Sequence, residues 1–274
     1  MKLSLSCRIA ELSNDKEKSF LSIEKLIKMA VINGFTGISL RPSVVSTSTP
    51  KQSVLKIKDV FNLNKISVSM ITSNINLAKN DKYAANNLKN ITPCLDLAEQ
   101  LDTSVVRIMI KHHDDIIFAK KALDEALERG IVLTQQTHWG TLAETIDETL
   151  TLIKVIKRKN FGITYEPANL LACGSDYSLM GLEKLLPYIV NFYFQNICLD
   201  KNGSHEFKTL SKGNIKVKYL PLNDKKGIDI YPLINFLYKQ KYDKWFTIHQ
   251  PLREGQKVDE AIEEASNLFL AYKN

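Results

Sequence analysis

The sequence predicts one α/β domain, a single (β/α)8 TIM barrel over residues 1–274, on three observations. Short β-branched or apolar runs alternate without a break with longer amphipathic segments, the pattern of βα units repeated around a parallel sheet. Eight such units fit into the chain, whose length is close to the ~250 residues of a typical barrel. No Pro-, Gly- or Ser-rich linker separates two halves, and neither GxGxxG nor GxxxxGK[ST] occurs, which argues against a doubly wound nucleotide-binding sheet.

Taken in order, Leu3–Arg8 is the first expected strand. A helix follows near Ser19–Asn33, with Ile23, Leu26, Ile27, Ala30 and Val31 on one face and Gly34 as its stop. Gly37–Arg41 is the second strand, Gln52–Asn64 a helix, and Ile66–Ile71 the third strand. The next helix is expected from Lys82 to Leu101, with Pro93 as an irregularity inside it. Ser104–Ile110 is the fourth strand. A helix capped by Asp114 and Asp115 then ends at Arg129-Gly130. Ile131–Gln136 is the fifth strand, with a helix over Thr141–Lys159 carrying Leu142, Ile146, Leu150 and Ile153 on one face. Phe161–Tyr165, Val190–Ile197 and Trp245–His249 complete the strands. Their helices are Leu179–Tyr188, Ile228–Lys239 and Val258–Tyr272. The longest irregular stretch, Asp200–Gly227, falls where a barrel has its mouth, so it is expected to face substrate.

Composition narrows the function classes. Lys and Arg number 37 against 30 acids, a formal charge of +7, with 44% hydrophobic and 24% charged residues. That is globular usage and excludes disorder, collagen and coiled coil. The lysines are dispersed among acids instead of gathered in an aromatic-interleaved block, so they read as solvated surface and no nucleic-acid partner is expected. No apolar run reaches the ~18 residues a bilayer span needs, and the start, Met1-Lys2-Leu3-Ser4-Leu5, lacks a secretory pattern. No membrane association and a cytoplasmic location are therefore expected. Cys7, Cys94, Cys173 and Cys198 show neither CxxC nor zinc-site spacing and read as free thiols.

A barrel places its active residues where strands end at the C-terminal face. The polar side chains there are Arg8, Ser39, Arg41, Ser73, Asn74, Arg107, Lys111, Gln136, His138, Glu166, Asn169, Tyr193, Gln195, His249 and Gln250. Gln136 and His138 share strand parity, as do Tyr193 and Gln195, so each pair points to one side. Glu166 is the one acid among them, suited to abstracting a proton beside a carbonyl. Arg107, Lys111 or His249 would polarise the oxygen. The plainer alternatives are an ion pair of Glu166 with Arg107 or Lys111, a core role for His249, and packing for Trp139 and Trp245. His112-His113 reads as a solvated loop, because adjacent side chains in extended chain point apart.

Four blocks carry a resemblance: Gln135-Gln136-Thr137-His138-Trp139-Gly140, Tyr165-Glu166-Pro167-Ala168-Asn169, Asn191-Phe192-Tyr193-Phe194-Gln195-Asn196-Ile197, and Trp245-Phe246-Thr247-Ile248-His249. In order and spacing they resemble strands five to eight of the xylose-isomerase-like sugar isomerase/epimerase barrels. Gly34-Phe35-Thr36-Gly37-Ile38-Ser39-Leu40-Arg41 resembles their strand two. Within that family the Gln-Thr-His and Tyr-Phe-Gln-Asn-Ile blocks are most similar to the 3-dehydroshikimate dehydratases. The resemblance implies one divalent metal, such as Mn²⁺ or Mg²⁺, held by Glu, Asp, His and Glu from strands five to eight.

Those positions fall on Gln136, Glu166, Tyr193 and His249, and all four depart. Three negative charges around the ion become one, and a hard dication held chiefly by anionic oxygens loses most of its attraction. No metal cofactor is therefore expected, and at most a weak Zn²⁺ or Ni²⁺ site on His249, Glu166 and His138. The expectation for the chain is a sugar isomerase/epimerase-like barrel, or a related lyase, for a small polyhydroxylated or acidic sugar-like ligand. Glu166 is its base and His249 and His138 its acid or oxyanion partners. Gln136, Asn169, Gln195, Tyr193, Arg107, Arg41 and Trp139 are its binding groups. The alternative is a non-catalytic sugar-binding or scaffolding descendant. A metal-cluster endonuclease is disfavoured by only five histidines, and dimers, common in the family, imply a possible homodimer.

Overall fold

A computed structural model describes residues 1–270. Eight parallel strands, Lys2–Ser6, Gly37–Leu40, Ser67–Ile71, Val105–Ile108, Val132–Gln136, Phe161–Tyr165, Ile189–Phe194 and Trp245–Ile248, form a closed barrel in chain order. The eighth closes on the first with Lys2 opposite Trp245 and Leu5 opposite Ile248. Their outward apolar side chains pack beneath the helices in one continuous core that includes Leu5, Ile38, Val106, Leu133, Ile163, Phe192 and Phe246. At the N-terminal rim of the second strand, Gly37 allows the Trp245 ring to lie against the backbone, since a Cβ there would sit 2.5 Å from the ring.

The lumen is filled largely by polar pairs. Ser4 and Ser69 hydroxyls lie 2.6 Å apart, Ser39 and Tyr193 2.6 Å, Thr134 and Thr164 2.9 Å, and Thr247 donates to Asn191 at 2.9 Å. Each hydroxyl thereby finds the partner that burial demands. A bulge in the pairing of the second and third strands skips Ser69 between Val68 and Met70. The extra residue turns both Ser69 and Met70 inward, where the Met70 sulfur accepts from Thr164 and Asn191 at 3.7 Å.

Local chemistry sets the helix boundaries. Ser22 caps Ile23–Ile32, so the first helix starts four residues later than Ser19, and Ser19 belongs to a hairpin formed by Glu11–Leu12 and Asp15–Ser19. Pro93 lies in the first turn of Thr92–Gln100 instead of interrupting a long helix from Lys82. A short helix, Ile75–Lys79, and a 3-10 turn, Asn86–Lys89, precede it. A Thr145–Glu148 capping box starts Ile146–Ile156, leaving Leu142 in the preceding loop. Arg129 and Gly130, at φ +68°, end the helix Asp115–Glu128 as the sequence indicates. The helix expected over Leu179–Tyr188 stops at Leu185 and continues as a 3-10 turn to Tyr188. Tyr272 of the last expected helix lies outside the described residues, and that helix is Val258–Asn267.

Two corrections bear on the site. The strand expected over Val190–Ile197 breaks after Phe194, because Asn196 leaves the barrel and its side chain ties down the chain near Pro221, Asp224 and Ile228. Ile197–Leu199 then joins His205–Thr209 and Gly213–Tyr219 in a three-stranded antiparallel sheet, so Asp200–Gly227 is not irregular. No helix among the described residues is long and apolar enough to cross a membrane.

Candidate active site

The C-terminal ends of the strands surround a cavity of about 650 Å³. Its floor carries Arg107, Gln136, Glu166, Gln195 and His249, its wall Trp139, and the two hairpins supply its rim through Lys16, Phe207 and Tyr219. Glu166 follows the sixth strand in extended conformation, and Pro167 begins the helix immediately after it. That geometry buries the carboxyl completely. Its Oε2 accepts from the Gln136 and Asn169 amides, the latter at 2.9 Å, while Oε1 has no partner. Burial pushes the carboxyl up to about 7, and the guanidiniums of Arg8 and Arg107 offset that only in part.

Both mouth histidines are held below the ordinary imidazole range. The Nδ1–H of His138 donates to the Trp139 carbonyl at 2.8 Å, which leaves Nε2 as the basic nitrogen. Burial, then Arg107, hold this imidazole well below its ordinary value. His249 has Nδ1 3.0 Å from the Ser6 hydroxyl and stacks on Tyr193 with ring centroids 4.2 Å apart. Burial, with Arg8 and Arg41, depresses it likewise.

The guanidiniums differ in their company. Arg41 forms a two-pronged pair with Glu11, Nε to Oε1 at 2.5 Å and Nη2 to Oε2 at 3.1 Å. Burial would raise the Glu11 carboxyl, but Arg41 overrides it and holds the group below its usual value. Arg8 donates only to uncharged acceptors: Gln195 Oε1 at 3.0 Å, the Tyr219 hydroxyl at 2.8 Å and the His249 carbonyl at 3.4 Å. Arg107 is 2% exposed, forms no ion pair among the described residues, and its buried Nε has no hydrogen-bond partner among them. Burial and Arg41 push it down to about 10.

Of the residues singled out in the sequence, Glu166, His249, His138, Gln136, Asn169, Gln195, Arg107, Arg41 and Trp139 all line this cavity. Tyr193 does not. It lies a layer deeper, hydroxyl on Ser39, with burial pushing its phenol up to about 12. The alternative ion pair of Glu166 with Arg107 or Lys111 is absent among the described residues, because Lys111 turns to the Asn80 side chain at 2.7 Å and to the carbonyls of Asn80 and Asp81. Gln250 is structural, bracing Asn196 and Leu220, and His112 and His113 are exposed.

Sequence reasoning missed Glu11, Lys16 and the roof. Glu144 is a buried carboxylate that accepts from the backbone of Gly140, Leu210 and Ser211 at 2.6, 2.6 and 2.9 Å. It pins the hairpin tip to the loop after the fifth strand, where Phe207 stacks on Trp139 at 5.7 Å. The alternation of Phe207, Thr209, Ile215, Val217 and Tyr219 with polar residues signals that hairpin. No spacing signals Glu11.

The architecture is a closed parallel barrel with a polar, partly cationic pocket at the strand C-termini. The family model for the xylose isomerase-like TIM barrel matches residues 27–271, and the chain belongs to that family. No curated protein matches the sequence. Among solved structures it is similar to the probable 3-DHS dehydratase AsbF of Bacillus anthracis, with TM-score 0.72, 18% identity and 100% of both chains covered. It is also similar to a xylose isomerase-like TIM barrel protein of Mycobacterium smegmatis in complex with magnesium, with TM-score 0.69, 15% identity, and 99% and 95% covered. A third is the D-psicose 3-epimerase of Clostridium cellulolyticum H10 with D-tagatose, at TM-score 0.62, 11% identity and 99% of each chain covered. At these identities the likeness is one of fold.

Gln136, Glu166, Tyr193 and His249 stand where the resemblance implies metal ligands. Glu166 is the one carboxylate among Gln136, Glu166, Tyr193 and His249, the Tyr193 hydroxyl is engaged by Ser39, and the guanidiniums of Arg8, Arg41 and Arg107 stand around them. Among the described residues no three His, Cys, Asp or Glu side chains gather as a candidate metal group.

Proposed function

We propose that the chain is a sugar isomerase/epimerase-type enzyme for a small polyhydroxylated ligand, moving a proton beside a carbonyl without a divalent metal. The observation that carries this reading is Glu166, a fully buried carboxyl lining the cavity with one oxygen unpartnered and its proton affinity raised to about 7. A base with a pKa near the working pH combines adequate ionisation with adequate basicity. In this reading Glu166 Oε1 removes the C–H proton next to the carbonyl and the electron pair moves onto the carbonyl oxygen. The imidazoles of His138 and His249 supply the hydrogen bonding that the oxygen requires, and Arg107 binds substrate. Gln136, Asn169 and Gln195 orient hydroxyls, and Trp139 offers an apolar wall to a sugar face.

The test is solvent exchange. Incubation with a panel of aldoses and ketoses in D₂O, followed by NMR, is expected to show deuterium at the carbon beside the carbonyl for at least one sugar or sugar acid. Glu166→Gln is expected to abolish it. Ligand-induced stabilisation with no exchange would instead support a sugar-binding descendant of the family.

A further inference from the structure

Arg107 is a charge without a counter-charge. It lies on the fourth strand at 2% exposure, forms no ion pair with any described residue, and its Nε has no partner. Arg8, on the far side of the closure between the first and eighth strands, meets only uncharged oxygens. Of the buried acids near the floor, Glu11 is taken by Arg41 through both oxygens, and Glu166 is held by the Gln136 and Asn169 amides. Three guanidiniums thus face two carboxyl groups, one of which Arg41 occupies, so Arg107 keeps its positive charge uncompensated at 2% exposure. An unpaired buried charge is costly, and a guanidinium fork is suited to a planar carboxylate.

We propose that Arg107, assisted by Arg8, receives the carboxylate of the ligand, so that the substrate is a sugar acid, a polyol bearing one carboxylate, and not a neutral sugar. The planar fork of Arg107 matches a carboxylate, whose two oxygens can accept from it in parallel. The proposal rests on the reading of the mouth as a polyol site and narrows it to acids.

The experiment compares matched probes by calorimetry: D-gluconate with D-glucitol, D-glucuronate with D-glucose, and D-glucose 6-phosphate as the other anion. At least one acid is expected to bind about tenfold or more tightly than its neutral counterpart, the loss expected when a charged hydrogen-bonding group lacks its partner. Arg107→Gln is expected to abolish that preference while raising the melting temperature of the unliganded protein, because it removes an unpaired buried charge. A purely structural Arg107 would lower it. Equal binding of acid and neutral probes overturns the acid assignment and leaves the polyol reading standing. Preference for the sugar phosphate overturns the carboxylate. Binding of none of the five overturns both readings. Should Arg107→Gln fail to fold, Arg107→Lys, expected to bind the acid more weakly but still in preference to its neutral counterpart, takes its place.

Discussion

Replacing Glu166 with Gln keeps volume and hydrogen-bonding capacity but removes the ionisable group, and its effect on stability can be worked out with its sign. Burial raises the folded-state carboxyl from the ordinary 4.5 to about 7, so the folded protein holds this proton more tightly than the unfolded chain. Stability from this group is full below pH ~4.5 and is lost as pH rises through about 7. Two and a half units at 1.36 kcal/mol each amount to about 3 kcal/mol in total, of which about 2 kcal/mol is lost between pH 5.5 and pH 8. For a chain of this size that is ~4–6 °C in melting temperature. Thermal melts of both proteins at the two pH values, after dialysis against a chelator, therefore have a definite expected outcome. The variant gains ~2 kcal/mol on the wild type on going from pH 5.5 to pH 8. The depressed His138 and His249 act in the opposite direction, losing stability as pH falls below 6.5, but they are common to both proteins and cancel in the difference. Parallel pH profiles for the two proteins would refute the argument, because they would mean that Glu166 ionises as it does in water.

Other expectations follow from the same geometry. Glu144→Ala leaves three backbone N–H groups at the roof unpaired and should cost about 3 kcal/mol by urea denaturation, with faster hydrogen exchange over residues 205–219 as its local signature. Breaking the buried pair by Arg41→Met should cost ~3–5 kcal/mol, and the double change with Glu11→Gln should recover much of it. Gly37→Ala drives a methyl into the Trp245 ring and should cost about 1–3 kcal/mol, read as a lowered denaturation midpoint. Millimolar Mg²⁺ or Mn²⁺ should leave the melting temperature unchanged, whereas a saturable increase would show that the floor takes a dication after all.

The barrel is legible because each strand is a short apolar run flanked by punctuation the chemistry enforces, such as Gly34 and Gly130 at positive φ. Helix starts are less so. Thr145 and Glu148 spell a capping box that outweighs the apolar stripe reaching back to Leu142, and Pro93 marks a beginning where it could be taken for a kink. At the site, strand-end position collected eight of the ten chosen residues around one cavity, and the block that carries the resemblance added Trp139. Tyr193 escaped because parity sets which side of the sheet a residue faces but not its depth, and its phenol reaches Ser39 across the lumen. Glu11 and Glu144 were invisible for a related reason. Their partners, Arg41 and the backbone of Leu210, are 30 and 66 residues away, and no local pattern encodes such a meeting.

The polar filling of the lumen has a consequence for how the chain reaches its native state. Ser39 meets Tyr193, and Met70 meets Thr164 and Asn191, so groups from strands two and three are satisfied only by strands six and seven. A half-barrel comprising the first four strands would strand these groups in an incomplete interior. Assembly should therefore be concerted, with ring closure between the chain's two halves as the slow step, and separately expressed halves should acquire native structure only when mixed.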